Sequence, residues 1–347
     1  MLMVTGCAGS FEVIAQEDVV AAIFGPDAEV PAIDARGRFR EIFCAVTERR
    51  GEAVPGHRPC EDALRRLEPE PGPTGDPVDL GEPADLKIFI VLGFGSDCFI
   101  PLLQDEIPFV EHLASLGYDV TTVRTEGLAS GTRNAEIIHA TVMAQLDGNA
   151  TAPVVFVGYS KGATDILEAL VTYPELAQAT DALVSFAGSI GGSPLAADAT
   201  QSQANLLTKV PGSGCEESDG GAVAAMRPDN RMAWLDEHRL PESIRYYSVI
   251  TLPEPERISW ILKRAHRRLA DIDPRNDSQV IFRDQVLPGS KVLGFVNADH
   301  WAVAVPVDRS RPLLARTVID ENAFPRDVLM EAALLYVQEE LDAQATP

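Results

Sequence analysis

The chain predicts an α/β protein with a mostly parallel central sheet flanked by helices. From Lys87 onward, short apolar runs alternate with segments of helical periodicity, which is typical of βαβ units. One apolar run ends directly in the pentapeptide GYSKG at 158–162, and a helical pattern follows it at once. The length of 347 residues is enough for one large α/β domain with an appendage.

Residues 8–67 are predicted to form a small helical N-terminal extension, because apolar residues recur at helical spacings between positions 19 and 46. Cys44 and Cys60 flank a turn that contains glycine and proline. A disulfide between them would tie two short helices together. Residues 68–84 carry five prolines among acidic and glycine residues, which indicates a linker.

Residues 85–347 form the predicted α/β domain. Its predicted strands are Ile88–Leu92, Asp119–Val123, Val154–Val157, Ala182–Phe186, Tyr246–Ile250 and Val292–Val296. Its predicted helices are Pro101–Leu116, Ala135–Leu146, Ala163–Val171, Glu254–Ala270 and Pro325–Leu341. An insertion rich in Gly, Ser and Ala at about 190–240 interrupts this alternation, and we expect it to form a lid over the site.

The charge balance and the cysteines argue against several classes of partner. The chain has 52 acidic and 29 basic residues, a formal net charge of -23, which disfavours nucleic acid. No two of the five cysteines have the C-x-x-C spacing of a zinc or redox site, so we expect no metal. No apolar run reaches the length of about 18 residues that a membrane-spanning helix needs.

Ser160 is the predicted nucleophile. A serine hydroxyl reacts where a base takes its proton and amides face the developing oxyanion, and a sharp strand-to-helix turn offers both. Gly158 and Gly162 leave room for a backbone that a Cβ would crowd. The alternative is a chance match in an ordinary loop, which the flanking strand and helix argue against.

His300 is the predicted base. The order along the chain for such a site is serine, acid, histidine, and only His266 and His300 follow the insertion. His266 lies in a basic helical segment and reads as a surface residue. His300 comes just after the last strand, where a neutral imidazole would take the serine proton. The alternative is a loop histidine stacked on Trp301.

The acid that orients His300 is predicted to be Asp277. It lies in the turn sequence NDSQV, where a carboxylate that fixes the histidine tautomer is expected. Asp284 is the main rival, since it too lies at a possible loop end. Asp299 is adjacent to His300 and would point elsewhere if the loop is extended.

Two backbone amides are expected to form an oxyanion hole. One belongs to Lys161, and the other comes from Phe94 or Gly95 in the loop after the first core strand. A plain tight turn is the alternative for that loop. The Lys161 ammonium stands at the positive end of a helix, and we expect an ion pair with Asp165 to offset this. Attraction of an anionic substrate group is the other interpretation.

The cysteines indicate a location outside the cytoplasm. Cys7 follows small residues as in a bacterial lipobox and is the predicted lipidation site. Only three residues precede this motif, so either the true start lies further upstream or the match is chance. The other four cysteines would form two disulfides, Cys44–Cys60 and Cys98–Cys215, the second beside the lid. We therefore expect a periplasmic or outer-membrane lipoprotein attached to the membrane through its lipid. The alternative is five reduced cysteines in the cytosol.

Three peptides carry a resemblance to the lipase and esterase branch of the α/β-hydrolase superfamily: GYSKG at 158–162, NDSQV at 276–280 and NADHW at 297–301. The resemblance runs from about Lys87 to the C-terminus. It implies an eight-stranded fold and a Ser-His-Asp triad on Ser160, Asp277 and His300. A Leu-Gly pair stands at 92–93 where the family usually has His-Gly.

The resemblance implies a serine hydrolase that cleaves small-molecule or lipid carboxylic esters through an acyl-enzyme, with no cofactor. Thioester or amide cleavage and acyl transfer would use the same triad, because only the pocket selects the substrate. The alternative outside enzymes is a surface lipoprotein that keeps the fold and binds lipid or a partner. A serine-reactive probe separates these classes.

Overall fold

The computed structural model describes residues 16–26, 28, 31–81, 85–99, 108–146, 152–209, 214, 218–311, 313 and 316–345. The strands are β1 Ile33–Asp34, β2 Leu64–Arg65, β3 Lys87–Val91, β4 Asp119–Val123, β5 Val154–Tyr159, β6 Ala182–Phe186, β7 Arg245–Thr251 and β8 Lys291–Val296.

The helices of the first half of the described chain are α1 Gln16–Phe24, α2 Arg36–Arg50, α3 Cys60–Ala63, α4 Ser96–Phe99, α5 Pro108–Leu116, α6 Gly131–Gln145, α7 Lys161–Thr172 and α8 Pro174–Gln178. Those of the second half are α9 Pro194–Asp198, α10 Gln201–Ala204, α11 Ala222–Ala225, α12 Pro228–Glu237, α13 Lys263–Ala270, α14 Val307–Ser310 and α15 Arg326–Ala345. Short 3-10 turns span Gly51–Ala53, Asn205–Lys209, Pro255–Arg257, Trp260–Leu262 and Phe282–Gln285.

The described strands form one eight-stranded sheet with the order β1-β8-β7-β6-β5-β3-β4, and β2 pairs with β8 outside this order. All pairs are parallel except β2 with β8, which is antiparallel. The chain continues from β3 to β4 on one side and to β5 on the other, so the strand order reverses between β3 and β5. The loops that follow these two strands therefore diverge and leave a crevice at the carboxyl edge of the sheet. This arrangement confirms the predicted fold class.

Alternate residues of the inner strands feed two separate cores, as the two-residue period of a strand requires. Ile88 and Ile90 of β3 pack with side chains of α2, α5 and α15. Phe89 and Val91 face the other side and pack with α6 and α7. Helices therefore cover both faces, which explains why the strands read as continuous apolar runs. Within the described residues, no helix is both long and apolar enough to span a bilayer.

The N-terminal segment contributes to the sheet as well as to the helical layer. The sequence predicts no strand before residue 87, but β1 and β2 both pair with β8. Two-residue strands are too short to show an alternating pattern, so only the tertiary contact defines them. The Pro-rich segment is also held, because the Arg40 guanidinium donates to the Glu70 carboxylate at 2.5 and 2.9 Å. The predicted domain limits stay predictions.

One predicted helix is much shorter in the structure. The sequence predicts a helix over 254–270, but α13 starts at Lys263. The backbone amides of Trp260 and Ile261 donate to the Asp320 carboxylate at 2.7 Å and to the Val318 carbonyl at 2.9 Å, instead of to helical carbonyls. Prolines at 253 and 255 have no amide hydrogen to donate, so this stretch forms 3-10 turns instead of an α-helix. The insertion at 190–240 likewise contains only short helices in its described parts.

Candidate active site

Ser160 stands at a strained turn between β5 and α7. Its φ of 55° and ψ of -125° are unusual for a residue with a side chain, and such a conformation persists only where its surroundings enforce it. A Cβ on Gly158 would lie 2.5 Å from the Ala163 Cα, and one on Gly162 would lie 2.3 Å from the Val91 carbonyl oxygen. Both flanking positions therefore need glycine, which explains the G-x-S-x-G spacing.

Ser160, His300 and Asp277 form a continuous chain of contacts. The His300 Nε2 atom lies 2.9 Å from the Ser160 Oγ atom, and the His300 Nδ1 atom lies 2.7 Å from the Asp277 Oδ2 atom. All three side chains are buried. These residues are far apart in the sequence, but their side chains meet at the carboxyl ends of β5, β7 and β8. The geometry is that of a nucleophile, its base and the carboxylate that orients the base.

Asp277 is held by hydrogen bonds to both carboxylate oxygens. Its Oδ1 atom accepts from the backbone amides of Gln279 at 2.9 Å and Val280 at 2.7 Å. Its Oδ2 atom accepts from the Thr251 hydroxyl and from the Gln285 amide at 3.3 Å, in addition to its contact with His300. Between the two carboxylates left open by the sequence, the structure brings Asp277 and not Asp284 to the imidazole.

His300 is also fixed from its backbone side. Its amide donates to the Asp277 carbonyl at 3.0 Å, and its carbonyl accepts from the Tyr159 hydroxyl at 2.7 Å. Burial raises the pKa of Tyr159 well above its usual value, so this hydroxyl stays protonated and keeps donating. Asp299 turns away, as expected, and accepts from the Ser259 amide at 2.9 Å.

The loop after β3 passes close to Ser160. A Cβ on Gly93 would lie 2.7 Å from the Ser160 Cβ and 3.1 Å from its Oγ atom. The Gly95 amide donates to the Gly127 carbonyl at 3.1 Å, whereas those of Phe94 and Lys161 have no acceptor among the described residues. Of the two residues considered in this loop, Phe94 therefore keeps a free amide.

The Lys161 ammonium forms the ion pair expected with Asp165, at 2.7 and 2.8 Å from its two carboxylate oxygens. Both side chains are almost fully buried, at 1% and 2% exposure. Asp165 also accepts from the Asn134 amide at 2.7 Å. The ammonium is therefore held in the interior of the α6 and α7 layer, and only the backbone of Lys161 lies beside Ser160.

Comparisons with known proteins identify the family. The metagenomic carboxyl esterase MGS0156 has a solved structure that matches with a TM-score of 0.81 and 40% sequence identity, over 93% of this chain and 99% of that chain. The chain belongs to the α/β-hydrolase family of esterases and lipases. It is a homologue of carboxyl esterases, which confirms the family and the enzyme class predicted from the three peptides.

Other comparisons are weaker. The mature form of the lipase BlEst2 from Bacillus licheniformis matches this α/β-hydrolase with a TM-score of 0.52 and 22% identity, over 70% of this chain and 95% of that chain. At that identity the likeness supports the fold alone. A scan against models of protein families finds no match, and a search of curated proteins finds none either.

A cavity of about 790 Å³ opens beside Ser160 of this α/β-hydrolase. Most of its walls come from the loop after β3, the insertion and the segment after His300, and Ser189, Ile261 and the turn at Gln279 and Val280 complete them. Apolar side chains dominate these walls, including Leu92, Leu195, Val223, Met226, Val305, Val307 and Ile319. The Ser189 hydroxyl is buried in the same wall without a hydrogen-bond partner among the described residues. The cavity therefore suits an apolar group with few polar atoms.

Sequence analysis missed the side chains that hold the site. Thr251 and Gln285 contact Asp277 and belong to no motif, and Tyr159 contacts His300 from the variable second position of GYSKG. One signal was present, because Thr251 is a polar residue at the carboxyl end of a buried parallel strand. Gln285 carried no such signal, since it lies in an irregular turn.

The predicted cysteine pairs have different outcomes. Cys44 and Cys60 lie at disulfide distance, with their Cα atoms 5.1 Å apart, and join α2 to α3. Cys98 is buried in the loop region after β3, but Cys215 lies outside the described residues, so that pairing stays a prediction. Cys7 also lies outside the described residues, and its lipidation stays a prediction.

Proposed function

We propose that this protein hydrolyses carboxylic esters with Ser160 as nucleophile, His300 as base and Asp277 as the orienting acid. The single observation that carries the proposal is the buried chain of contacts from Ser160 through His300 to Asp277 at the wall of an apolar cavity. The carboxyl esterase homologue supports the same reaction class. An ordinary buried histidine would not require a serine in a strained turn at hydrogen-bond distance.

In this mechanism the Ser160 oxygen attacks the acyl carbonyl while its proton passes to His300 Nε2. The tetrahedral intermediate collapses, and the imidazolium returns the proton to the leaving alcohol. A water molecule then attacks the acyl-enzyme with His300 again as base, which releases the acid and restores the serine. Asp277 holds the imidazole with Nδ1 protonated and faces the positive charge that forms on it.

The backbone amides of Phe94 and Lys161 would donate to the oxyanion. Both amides are free of acceptors within the described residues, and Lys161 begins α7, so the positive end of that helix faces the same point. Backbone donors need no rearrangement during the reaction. Their contribution is therefore available as soon as the carbonyl oxygen gains charge.

We propose an ester with an acyl chain of medium length as the substrate. The volume of about 790 Å³ lies within the range of small-molecule pockets and exceeds what an acetyl group fills. Burying each methylene of the chain contributes about 0.8 kcal/mol, so binding should strengthen with chain length until the cavity is full.

The test is labelling with a fluorophosphonate probe together with turnover of p-nitrophenyl esters of graded chain length. Wild-type protein should be labelled and active, whereas Ser160→Ala should lose both and His300→Ala should lose turnover. Ser185→Ala is the matched control, because this serine of β6 is buried like Ser160, but its hydroxyl has no hydrogen-bond partner among the described residues and does not contact His300. Labelling that persists in folded Ser160→Ala would refute the assignment of the nucleophile.

We also propose that the protein is a lipoprotein outside the cytoplasm, on the motif at Cys7 and the Cys44–Cys60 pair. Expression from an upstream start with a full signal segment should give a membrane-associated form that Cys7→Ser releases. Free thiols at all five cysteines of the native protein would contradict the proposal.

A further inference from the structure

Helix α13 presents a cationic face on a strongly acidic protein. Its four basic residues, Lys263, Arg264, Arg267 and Arg268, are all exposed, whereas Leu269 is buried. Spacings of one and four residues place the four cations on the same side of the helix. From 260 to 272 the chain carries four basic residues and one acidic residue, in a protein whose net charge is -23.

Most of this positive charge has no partner within the described chain. Arg268 pairs with Asp198, but Lys263, Arg264 and Arg267 form no ion pair with a described residue. Like charges four residues apart destabilise an exposed helix, and Lys263 and Arg264 in the first turn oppose the helix dipole, whereas Arg267 and Arg268 in the last turn are favoured by it. The repulsion within the face is therefore only partly offset inside the described chain, which indicates an anionic partner outside it.

An exposed apolar pair lies directly beside the cationic face. Trp260 is 62% exposed and Ile261 is 45% exposed. Their backbone amides are fixed by Asp320 and Val318 at 2.7 and 2.9 Å, so this turn is held in place. Ile261 and Val318 also line the cavity that contains Ser160. The apolar pair is thus continuous with the mouth of the proposed active site.

We propose that Trp260, Ile261 and the cationic face of α13 dock this esterase on an anionic lipid surface. The apolar pair would enter the head-group region while Lys263, Arg264 and Arg267 contact lipid phosphates. A soluble anion would satisfy the cations but would leave the apolar pair in water. Because the rest of the molecule is acidic, repulsion from the same surface would turn this face, and the cavity mouth beside it, toward the lipid.

Binding is tested with Ser160→Ala protein, so that the vesicles are not hydrolysed. The protein is sedimented at low salt with vesicles of phosphatidylcholine alone and with vesicles in which phosphatidylglycerol replaces part of it. We expect binding to the anionic vesicles only. Arg264→Gln/Arg267→Gln should lower the partition coefficient about thirtyfold, since each arginine near an anionic surface contributes about fivefold.

The matched control is Arg124→Gln/Arg239→Gln, which removes two exposed arginines that also form no ion pair within the described residues. This control should bind like the parent. Trp260→Ser should weaken binding to anionic vesicles and leave a remainder that is still sensitive to salt. With Ser160 present, both arginine variants should hydrolyse a soluble short-chain ester at the wild-type rate.

Several results would overturn the proposal. These are equal binding to both kinds of vesicle, no binding, or an equal loss in the control variant. Self-association that only Arg264→Gln/Arg267→Gln abolishes would assign the face to a second copy, and capture by soluble inositol phosphates without vesicle binding would assign it to a soluble anion. Because binding is measured on catalytically disabled protein, its failure is separate from failure of the proposed hydrolysis.

Discussion

At the residue scale, the orientation of Asp277 depends on four separate donors besides the imidazole. Two are backbone amides of its own turn, and two are side chains, from Thr251 at the end of β7 and Gln285 in the next turn. A carboxylate held on both oxygens has one rotamer, so the imidazole meets a fixed acceptor. The site is therefore organised before any substrate enters.

We predict that Asp277→Asn lowers kcat about 10,000-fold with the fold intact, because the amide no longer holds the required histidine tautomer. The measurement is kcat on a p-nitrophenyl ester, with circular dichroism to verify folding. Asp284→Asn is the matched control and should stay within a few-fold of wild type. A larger loss in Asp284→Asn would show that the wrong carboxylate has been assigned.

We predict that Tyr159→Phe lowers both stability and kcat. The His300 carbonyl would lose its donor at 2.7 Å in a buried site, which costs about 1–3 kcal/mol of unfolding free energy. Tyr246→Phe removes a similar hydroxyl, which donates to the Pro241 carbonyl at 3.1 Å away from the site. Urea denaturation should show a loss for both variants, whereas kcat should fall only for Tyr159→Phe. Unchanged kcat in both would remove Tyr159 from the positioning of His300.

At the element scale, the packing of α7 on β3 sets the position of Ser160. We predict that Gly162→Ala destabilises the protein by about 1–3 kcal/mol, as overpacking of a tight contact does. The new Cβ would lie 2.3 and 2.6 Å from the carbonyl oxygens of Val91 and Leu92, so α7 would have to move. Gly162→Ala should therefore have both a lower melting temperature and a lower esterase activity than wild type.

The control for that substitution is Gly72→Ala, whose added Cβ would have no heavy atom within 4 Å. It should change the unfolding free energy by less than about 0.5 kcal/mol. Equal melting temperatures for wild type and Gly162→Ala would show that α7 tolerates the shift and that the glycine is needed for another reason.

The Cys44–Cys60 pair acts at the same scale, because it closes a loop between α2 and α3. For a sequence separation of 16 residues, the loss of loop entropy in the unfolded chain predicts about 3 kcal/mol of stabilisation. Cys44→Ser/Cys60→Ser should melt several degrees below wild type. Dithiothreitol should lower the melting temperature of wild type by more than that of the variant, in which only the predicted Cys98–Cys215 pair remains. An equal reductant effect on both proteins would show that the Cys44–Cys60 bond does not stabilise the fold.

At the scale of the whole molecule, Glu331 joins the two ends of the chain. Its carboxylate accepts from Arg50 of α2 at 2.7 and 3.0 Å and contacts the His112 ring of α5 at 2.8 Å. Burial raises the pKa of Glu331, but the hydrogen bonds and charges of His112 and Arg50 outweigh it and hold the pKa below its usual 4.5. The ionised form is therefore bound more tightly in the folded state.

Because the folded-state pKa is depressed, this stabilisation is present above the unfolded value and is lost as pH falls through the folded value. We predict that Glu331→Gln is less stable than wild type at neutral pH and that the difference shrinks below pH 4.5. Thermal denaturation across pH measures this. Glu48→Gln, an exposed change on α2, should show no such pH-dependent difference. A stability difference between wild type and Glu331→Gln that stays constant with pH would contradict a depressed pKa of Glu331 in the folded protein.

Much of the fold was predictable because its signals are local. The apolar runs of β3 to β8 and the helical patterns between them each lie within a short window of sequence, and buried parallel strands need no partner to be recognised. The helix expected over 254–270 was wrong in its first half, since hydrogen bonds to Asp320 and Val318 from far along the chain replace helical ones. A helix boundary that depends on hydrogen-bond acceptors far along the chain cannot be predicted from the local spacing of apolar residues.

The sequence by itself determined the α/β class, the sharp turn at Ser160 and the order of serine, acid and histidine, because glycine spacing and apolar runs act over a few residues. Only the tertiary structure decided that Asp277 rather than Asp284 meets His300 and that Phe94 rather than Gly95 keeps a free amide. It also decided that α13 presents its cations beside the cavity mouth. These outcomes depend on hydrogen bonds and packing between residues far apart in the chain, which no local pattern specifies.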